Sequence, residues 1–145
     1  MKPLSRENFI EHLSKSSTAT KLGINNKLPA DLLHNAEMLY QDYIMLYEHI
    51  LPSRIYITSG YRCSALNKAV GGVHGSKHCI ARAFDFAFIP CSSRMDFLQL
   101  FEQMRKNFMY YMSQNNPKIR STELAIYFRR HFIAYPDRLF VHYQL

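Results

Sequence analysis

Between Thr58 and Asp85 the sequence concentrates side chains that can do chemistry: Thr58-Ser59-Gly60-Tyr61-Arg62, then Gly71-Gly72-Val73-His74-Gly75-Ser76-Lys77-His78, then Ala81-Arg82-Ala83-Phe84-Asp85. His78 and Asp85 offer an imidazole and a carboxylate. These are two of the three protein ligands that a catalytic zinc commonly takes while keeping a fourth position for water. The third ligand has to come from elsewhere, and His142 stands far downstream in the apolar run Phe140-Val141-His142-Tyr143. His74 and His131 have no spacing that requires them as ligands and read as ordinary histidines. Cys79 directly follows His78, but alternation along the chain points it the other way, so it reads as a small buried apolar residue.

Those residues need elements to position them. Arg54-Ile55-Tyr56-Ile57-Thr58 is rich in β-branched and aromatic residues and stops at Ser59-Gly60, the pattern of a strand entering a turn. Ser64 to Val70 reads as a short helix broken by Gly71-Gly72, and Ala83-Phe84-Asp85-Phe86-Ala87-Phe88 alternates as a second strand up to Pro90. Earlier in the chain, Ser5 caps a short helix with Phe9, Ile10 and Leu13 on one face, and Leu22-Gly23-Ile24-Asn25-Asn26 reads as a helix end and a loop. From Pro29, apolar positions such as Leu32, Ala36, Leu39, Tyr43 and Ile50 recur at steps of three or four until Pro52, predicting a long amphipathic helix. Ser93 with Asp96 has the form of a capping box, opening a second long helix through Phe97, Phe101, Met104, Phe108 and Met112. Two or three short strands are expected after it, within 124–128, 131–135 and 139–143, with Tyr135-Pro136-Asp137-Arg138 as a turn. Helices first and an antiparallel meander last predict an α+β fold, with helices packed on a small antiparallel sheet.

The chain has 145 residues, 48% hydrophobic and 14% aromatic, which supplies one core and excludes disorder as its main description. We expect a single domain over residues 1–145, acting as a monomer. No apolar run approaches the roughly 18 residues of a membrane span, and Met1 to Ile10 lacks the apolar stretch of a secretory signal. Cys63, Cys79 and Cys91 are odd in number and fit reduced thiols. The chain is therefore expected to be made in a cytoplasm. Its net charge of +7 favours an anionic partner, which charge alone leaves open among nucleic acid, a membrane surface and a cell-wall polymer.

Ser59-Gly60-Tyr61-Arg62, Asn67 to Val70, Gly71-Gly72, Ser76-x-His78, the His-x6-Asp step to Asp85 and the late Phe-Val-His together resemble the zinc D-Ala-D-Ala carboxypeptidases and related murein endopeptidases. Ser17-Thr18-Ala19 and Leu22 to Asn26 resemble a prelude common in phage and bacterial members. The resemblance implies the hedgehog/D-Ala-D-Ala peptidase-like fold, with His78, Asp85 and His142 holding one Zn²⁺, Arg62 binding a carboxylate or carbonyl of the substrate, and Ser76 supporting that site. A fixed guanidinium fork can grip a peptide carboxylate in two places, and a three-ligand zinc acidifies its water and polarises a carbonyl. The implied reaction is hydrolysis of a peptide bond in peptidoglycan, in a stem peptide or crosslink containing D-alanine. With no signal peptide read, it would act at the wall after release, as a phage lytic enzyme or within a virion.

Family members usually carry an Asp or Glu two residues after the third ligand or about three before it, as general base. Here those positions are Gln144 and Leu139, and Gln144 cannot accept a proton. The resemblance therefore passes the role to Asp137, in the preceding turn, or Glu123, at the start of an earlier strand. Ala81 stands where the family commonly has glycine, a difference that costs little if the backbone there has ordinary dihedrals. Two alternatives accompany this reading. One is a domain of the same fold that binds wall peptide and hydrolyses it slowly or not at all. The other is a basic nucleic-acid-binding protein, against which stand scattered basic residues and the lack of a nucleic-acid motif; no specific nucleic-acid partner is expected.

Overall fold

Strand β2 (Ala83–Ile89) alternates Phe84, Phe86 and Phe88 with Asp85 and Ala87, and this alternation sets the layering of the molecule. In the computed structural model, which describes residues 2–145, the three phenylalanines are buried in the main core while Asp85 looks to the other face of the sheet. β1 (Arg54–Ser59) and β4 (Phe140–Gln144) flank β2, and β3 (Phe132–Tyr135) forms an outer edge, in the order β1-β2-β4-β3. All three pairings are antiparallel, and Ser59, His142 and Ile133 fall in one row with Asp85. β1 carries an extra residue between Ile57 and Ser59. Such a bulge bends the strand end, here as it leads into Gly60.

Among the described residues six α-helices accompany the sheet, giving the expected α+β architecture. α1 (Arg6–Ser14) and α2 (Ser17–Leu22) precede α3 (Leu33–Met45), which begins from a 3₁₀ turn at Ala30–Leu32 and ends in a π turn at Leu46–Ile50. α4 (Ser64–Ala69) follows β1, and α5 (Arg94–Asn115) follows β2. The Ser5 and Ser93 hydroxyls cap α1 and α5 by accepting the Asn8 and Asp96 backbone N–H groups, at 3.2 and 3.1 Å. Phe9 of α1 meets Phe84 edge-on at 5.7 Å and stacks on Tyr43 of α3 at 4.9 Å. The Tyr143 hydroxyl donates to Asp42 Oδ2 at 2.5 Å, tying β4 to α3. Burial first, and then the Asp42 charge, push that phenol well above its ordinary range.

The stretch expected as a strand at 124–128 is instead part of a helix, α6 (Ser121–His131). Leu124 and Phe128 lie four apart and are both buried, with Phe128 packed 5.3 Å from Phe108 and 5.6 Å from Phe101 of α5. Glu123 in the first turn and Arg129, Arg130 and His131 in the last complement the helix dipole. The condition under which Ala81 would cost little, ordinary backbone dihedrals, is not met. A 3₁₀ turn at Lys77–Ile80 ends there with φ at 53°, a left-handed conformation that costs an L-residue roughly 1–2 kcal/mol.

Gly60 packs against the last residues of α1. A Cβ there would lie 2.5 Å from the Leu13 carbonyl oxygen and 2.6 Å from its Cα, both rigid backbone atoms. Gly60→Ala is therefore expected to lower unfolding free energy by about 1–3 kcal/mol, as overpacking does. Denaturant titration checks this, and an unchanged midpoint would show that α1 can move aside freely.

Candidate metal centre

The β2–β4 register sets Asp85 beside His142, on the face of the sheet away from the phenylalanine core. The 3₁₀ turn brings His78 against the same carboxylate. His78 Nε2 lies 3.2 Å and His142 Nδ1 2.8 Å from Asp85 Oδ1, and the two imidazole centroids are 5.0 Å apart. One donor atom from each of the three residues lies within 4.8 Å of the others. Bonds of about 2.0–2.2 Å in a tetrahedral zinc site put ligand atoms about 3.3 Å apart, and the two distances to Asp85 Oδ1 lie within about 0.5 Å of that value. Two imidazole nitrogens and one carboxylate oxygen are a donor set that suits zinc.

The shell around His78 is built mostly from backbone. His78 Nδ1 donates to the Gly60 carbonyl at 2.6 Å, which turns Nε2 toward Asp85, and the ring is only 2% exposed. Ser76 Oγ accepts the His78 backbone N–H at 3.2 Å, so the Ser76 hydroxyl caps the turn that carries His78. The Arg62 backbone N–H donates to the His78 carbonyl at 3.2 Å. Asn26, buried, clamps this loop from behind: its amide donates to the Ser14 and Tyr61 carbonyls at 3.0 and 2.9 Å, and its oxygen accepts the Cys63 N–H at 2.8 Å. Gly72 lets the chain pass Asn67, whose Oδ1 would sit 1.9 Å from a Cβ at that position.

Burial alone would push the Asp85 carboxyl up, but hydrogen bonds from His142 and His78 outweigh it and hold the group below the ordinary carboxylate range. Burial likewise works to lower His142, and the hydrogen bond and charge of Asp85 outweigh it and raise the imidazole above its usual value.

A groove of about 750 Å³ runs over the three donors. Arg62, Ser76, Arg138, Phe140 and Gln144 are among the residues that line it. The Arg62 Nε is buried with no hydrogen-bond partner among the described residues. Of the residues singled out from sequence, the structure brings His78, Asp85, His142, Arg62 and Ser76 to this groove, and it does not bring Asp137 or Glu123. Asp137 has a side chain 85% exposed and paired with Arg94 at 2.9 Å, because its turn aims it away from the sheet. Glu123 pairs with Arg120 at 3.0 Å in the first turn of α6, since the segment that holds it is helical rather than extended. His74 is exposed, and Cys79 is half-buried rather than buried. His131 Nδ1 meets the Gln144 carbonyl oxygen at 2.7 Å. Sequence reasoning missed Gly60 and Asn26 as supports of His78. A glycine after a strand and an asparagine after a helix-ending glycine mark turns, but not what those turns touch.

A family model described as Peptidase M15 matches residues 7–117. The chain belongs to the peptidase M15 family, the zinc D-Ala-D-Ala carboxypeptidase family of metallopeptidases. His78 and Asp85 fall within the matched segment, and His142 lies beyond it, brought to the site by the β2–β4 pairing. Searches of curated proteins and of solved structures each returned no match.

In the metal-free fold the two shifts act on stability in opposite pH directions. The Asp85 contribution is present above its unfolded value near 4 and is lost as pH falls through its lowered folded value. The His142 contribution is present below its unfolded value near 6.5 and is lost as pH rises through its raised folded value. Chelator-treated protein is thus expected to gain most from the pair between about pH 4 and 6.5. Thermal unfolding of wild type and His142→Ala across pH checks this: the difference in Tm should be widest in that window, and a difference independent of pH would refute it.

Proposed function

We propose that the chain is a zinc-dependent peptidase hydrolysing a peptide bond in peptidoglycan, in a D-alanine-containing stem peptide or crosslink. The observation that carries this reading is the convergence of His78, Asp85 and His142 in an open groove beside Arg62. These three side chains would hold the zinc, which when bound supplies an acidified water and polarises the scissile carbonyl. Arg62 would grip a substrate carboxylate or carbonyl with its guanidinium fork, its backbone already fixed against His78. Ser76 would serve the same site by holding the His78 turn in place.

The groove supports cutting within a peptide rather than trimming its end. Arg62 follows the end of β1 on one side of the Asp85–His142 row, while Arg138 lies in the β3–β4 turn on the other. At that far end the Arg138 guanidinium stands 5.3 Å over the Phe140 ring, and Tyr135 stacks on Phe140 at 4.6 Å. Substrate therefore has somewhere to lie on both sides of the metal ligands. The +7 charge adds a salt-sensitive attraction to an anionic wall.

A second reading, a wall-peptide-binding domain with slow turnover, is favoured by one specific observation. Asp85 is the acidic residue lining the groove, and it is already committed as a donor.

Metal analysis and a hydrolysis assay test both readings. Wild type is expected to hold about one zinc per chain, and His78→Ala and His142→Ala to lose it. On crosslinked wall peptides, Arg62→Ala is expected to lower kcat/KM by roughly 10–100-fold, the worth of a charged hydrogen bond. Zinc binding with no product would select the binding-domain reading, whereas no zinc uptake would overturn both. The double variant Glu123→Gln with Asp137→Asn is expected to keep the wild-type rate, because both carboxylates are arginine-paired outside the groove. A large fall in rate would restore one of them as the base.

A further inference from the structure

Gln144 stands two residues beyond His142 on β4 and so on the same face of the strand. Its Oε1 lies 3.1 Å from His142 Nε2, and its Nε2 donates to the Arg130 carbonyl at 3.0 Å, in the last turn of α6. A carboxamide has one accepting end and one donating end, and a backbone carbonyl can only accept. The Arg130 carbonyl therefore claims the NH₂ group and turns the oxygen toward the imidazole. The flipped rotamer would set two oxygens against each other at α6. The backbone of Gln144 is also held, by pairing with Ala83 and by the contact of its carbonyl with His131 Nδ1.

We propose that Gln144 is a positioning residue that keeps the proton of His142 on Nε2 and so presents Nδ1 to the metal, a role that rests on the zinc reading above. The two histidines would then bind through opposite nitrogens. His78 uses Nε2 because Gly60 holds its Nδ1–H, and His142 uses Nδ1 because Gln144 holds its Nε2–H. Those two nitrogens face Asp85 Oδ1 at 3.2 and 2.8 Å, where without metal they meet the carboxylate as N–H donors; a bound zinc would take the place of those protons. The choice of amide over acid matters chemically. A carboxylate against Nε2 would draw that proton and make the imidazole a stronger donor, whereas a neutral amide orients the ring and leaves more positive charge on the metal. Gln144 therefore occupies the place of an expected acid and serves the ligand rather than the attacking water. Through the Arg130 carbonyl, it also joins α6 to the metal centre.

The test uses full-length protein with ¹⁵N-labelled histidine, purified without a metal-chelating tag, and reads ring-nitrogen NMR and zinc affinity by chelator competition. In the zinc-loaded wild type, His142 is expected to show a protonated Nε2 and a metal-shifted Nδ1, with His78 showing the reverse. Gln144→Ala is expected to weaken zinc binding by roughly 10–100-fold, as loss of an outer partner to a ligand does. Gln144→Glu, which keeps an accepting oxygen opposite Nε2, is expected to keep Nδ1 ligation and to stay nearer the wild-type affinity. It also guards against a fold defect in the alanine variant. Ligation of His142 through Nε2 in wild type, or zinc affinity in Gln144→Ala within about twofold of wild type, would overturn the proposal. A metal-free measurement separates its failure from that of the zinc reading. At mildly acidic pH the His142 Nε2–H is expected to give a slowly exchanging signal in wild type that disappears in Gln144→Ala. Persistence of that signal defeats the Gln144 role whether or not zinc binds, while loss of the signal with no zinc uptake defeats only the zinc reading.

Discussion

The pairing of Asp85 with His142 across β2 and β4 is the constraint on which the site depends, and its register is set by burial rather than by the site itself. Val141 and Tyr143, either side of His142, are almost wholly buried, and Phe84 and Phe86 do the same for Asp85. A slip of β4 by one residue would turn Val141 and Tyr143 toward the groove and bury the His142 imidazole instead, and a slip of β2 would do the same to Phe84, Phe86 and Asp85. Each of those side chains contributes about 1.5–3 kcal/mol by burial, so the slipped register is far above the observed one. The Tyr143 hydroxyl bond to Asp42 adds a polar check on the same register from α3. The geometry of a hydrophilic centre is thus enforced by the apolar face behind it.

His78 reaches that row by different means. It sits in a loop and has no strand partner, so its place depends on backbone hydrogen bonds and close approaches. The bulge at the end of β1, the tight contact of Gly60 with Leu13 and the three bonds made by Asn26 bring a carbonyl to His78 Nδ1 and hold it there. The left-handed backbone at Ala81 is the strained part of this loop. Its N–H still bonds the His78 carbonyl at 3.3 Å, and the following Arg82 N–H bonds Lys77. α1 and the loop after α2, far from His78 in sequence, therefore act directly on the orientation of its imidazole.

Electrostatically the centre is a carboxylate shared between two imidazoles and faced by the positive charge of Arg62. Such a site favours a cation between the three donors and an anionic or carbonyl group beside them. Among the described residues no second acid lines the groove, and Asp137 and Glu123 are turned outward onto arginines. Chemistry here must then draw on the groups that line the groove.

Much of this was legible in the sequence, and the reason is local. Alternation in Ala83–Ile89, the three-and-four spacing before Pro52 and the serine caps at Ser5 and Ser93 are properties of short windows, and the elements they specify form as read. The combination of Arg62, Ser76, His78 and Asp85 was visible as a motif for the same reason. At 124–128 the window was ambiguous, since Ala125-Ile126-Tyr127-Phe128 suits either strand or helix. The packing of Leu124 and Phe128 on α5 chose the helix. Nearness in sequence also misplaced Asp137, whose turn points to Arg94, and it said nothing of Asn26 or of the Gln144 link to Arg130. The sequence by itself determined the elements, the α+β class and the donor types, because propensity and periodicity act over a few residues. Only the tertiary structure decided which nitrogen faces the carboxylate, which acids reach the groove and what supports each ligand, because those depend on hydrogen bonds and burial between segments that meet only when the chain has folded.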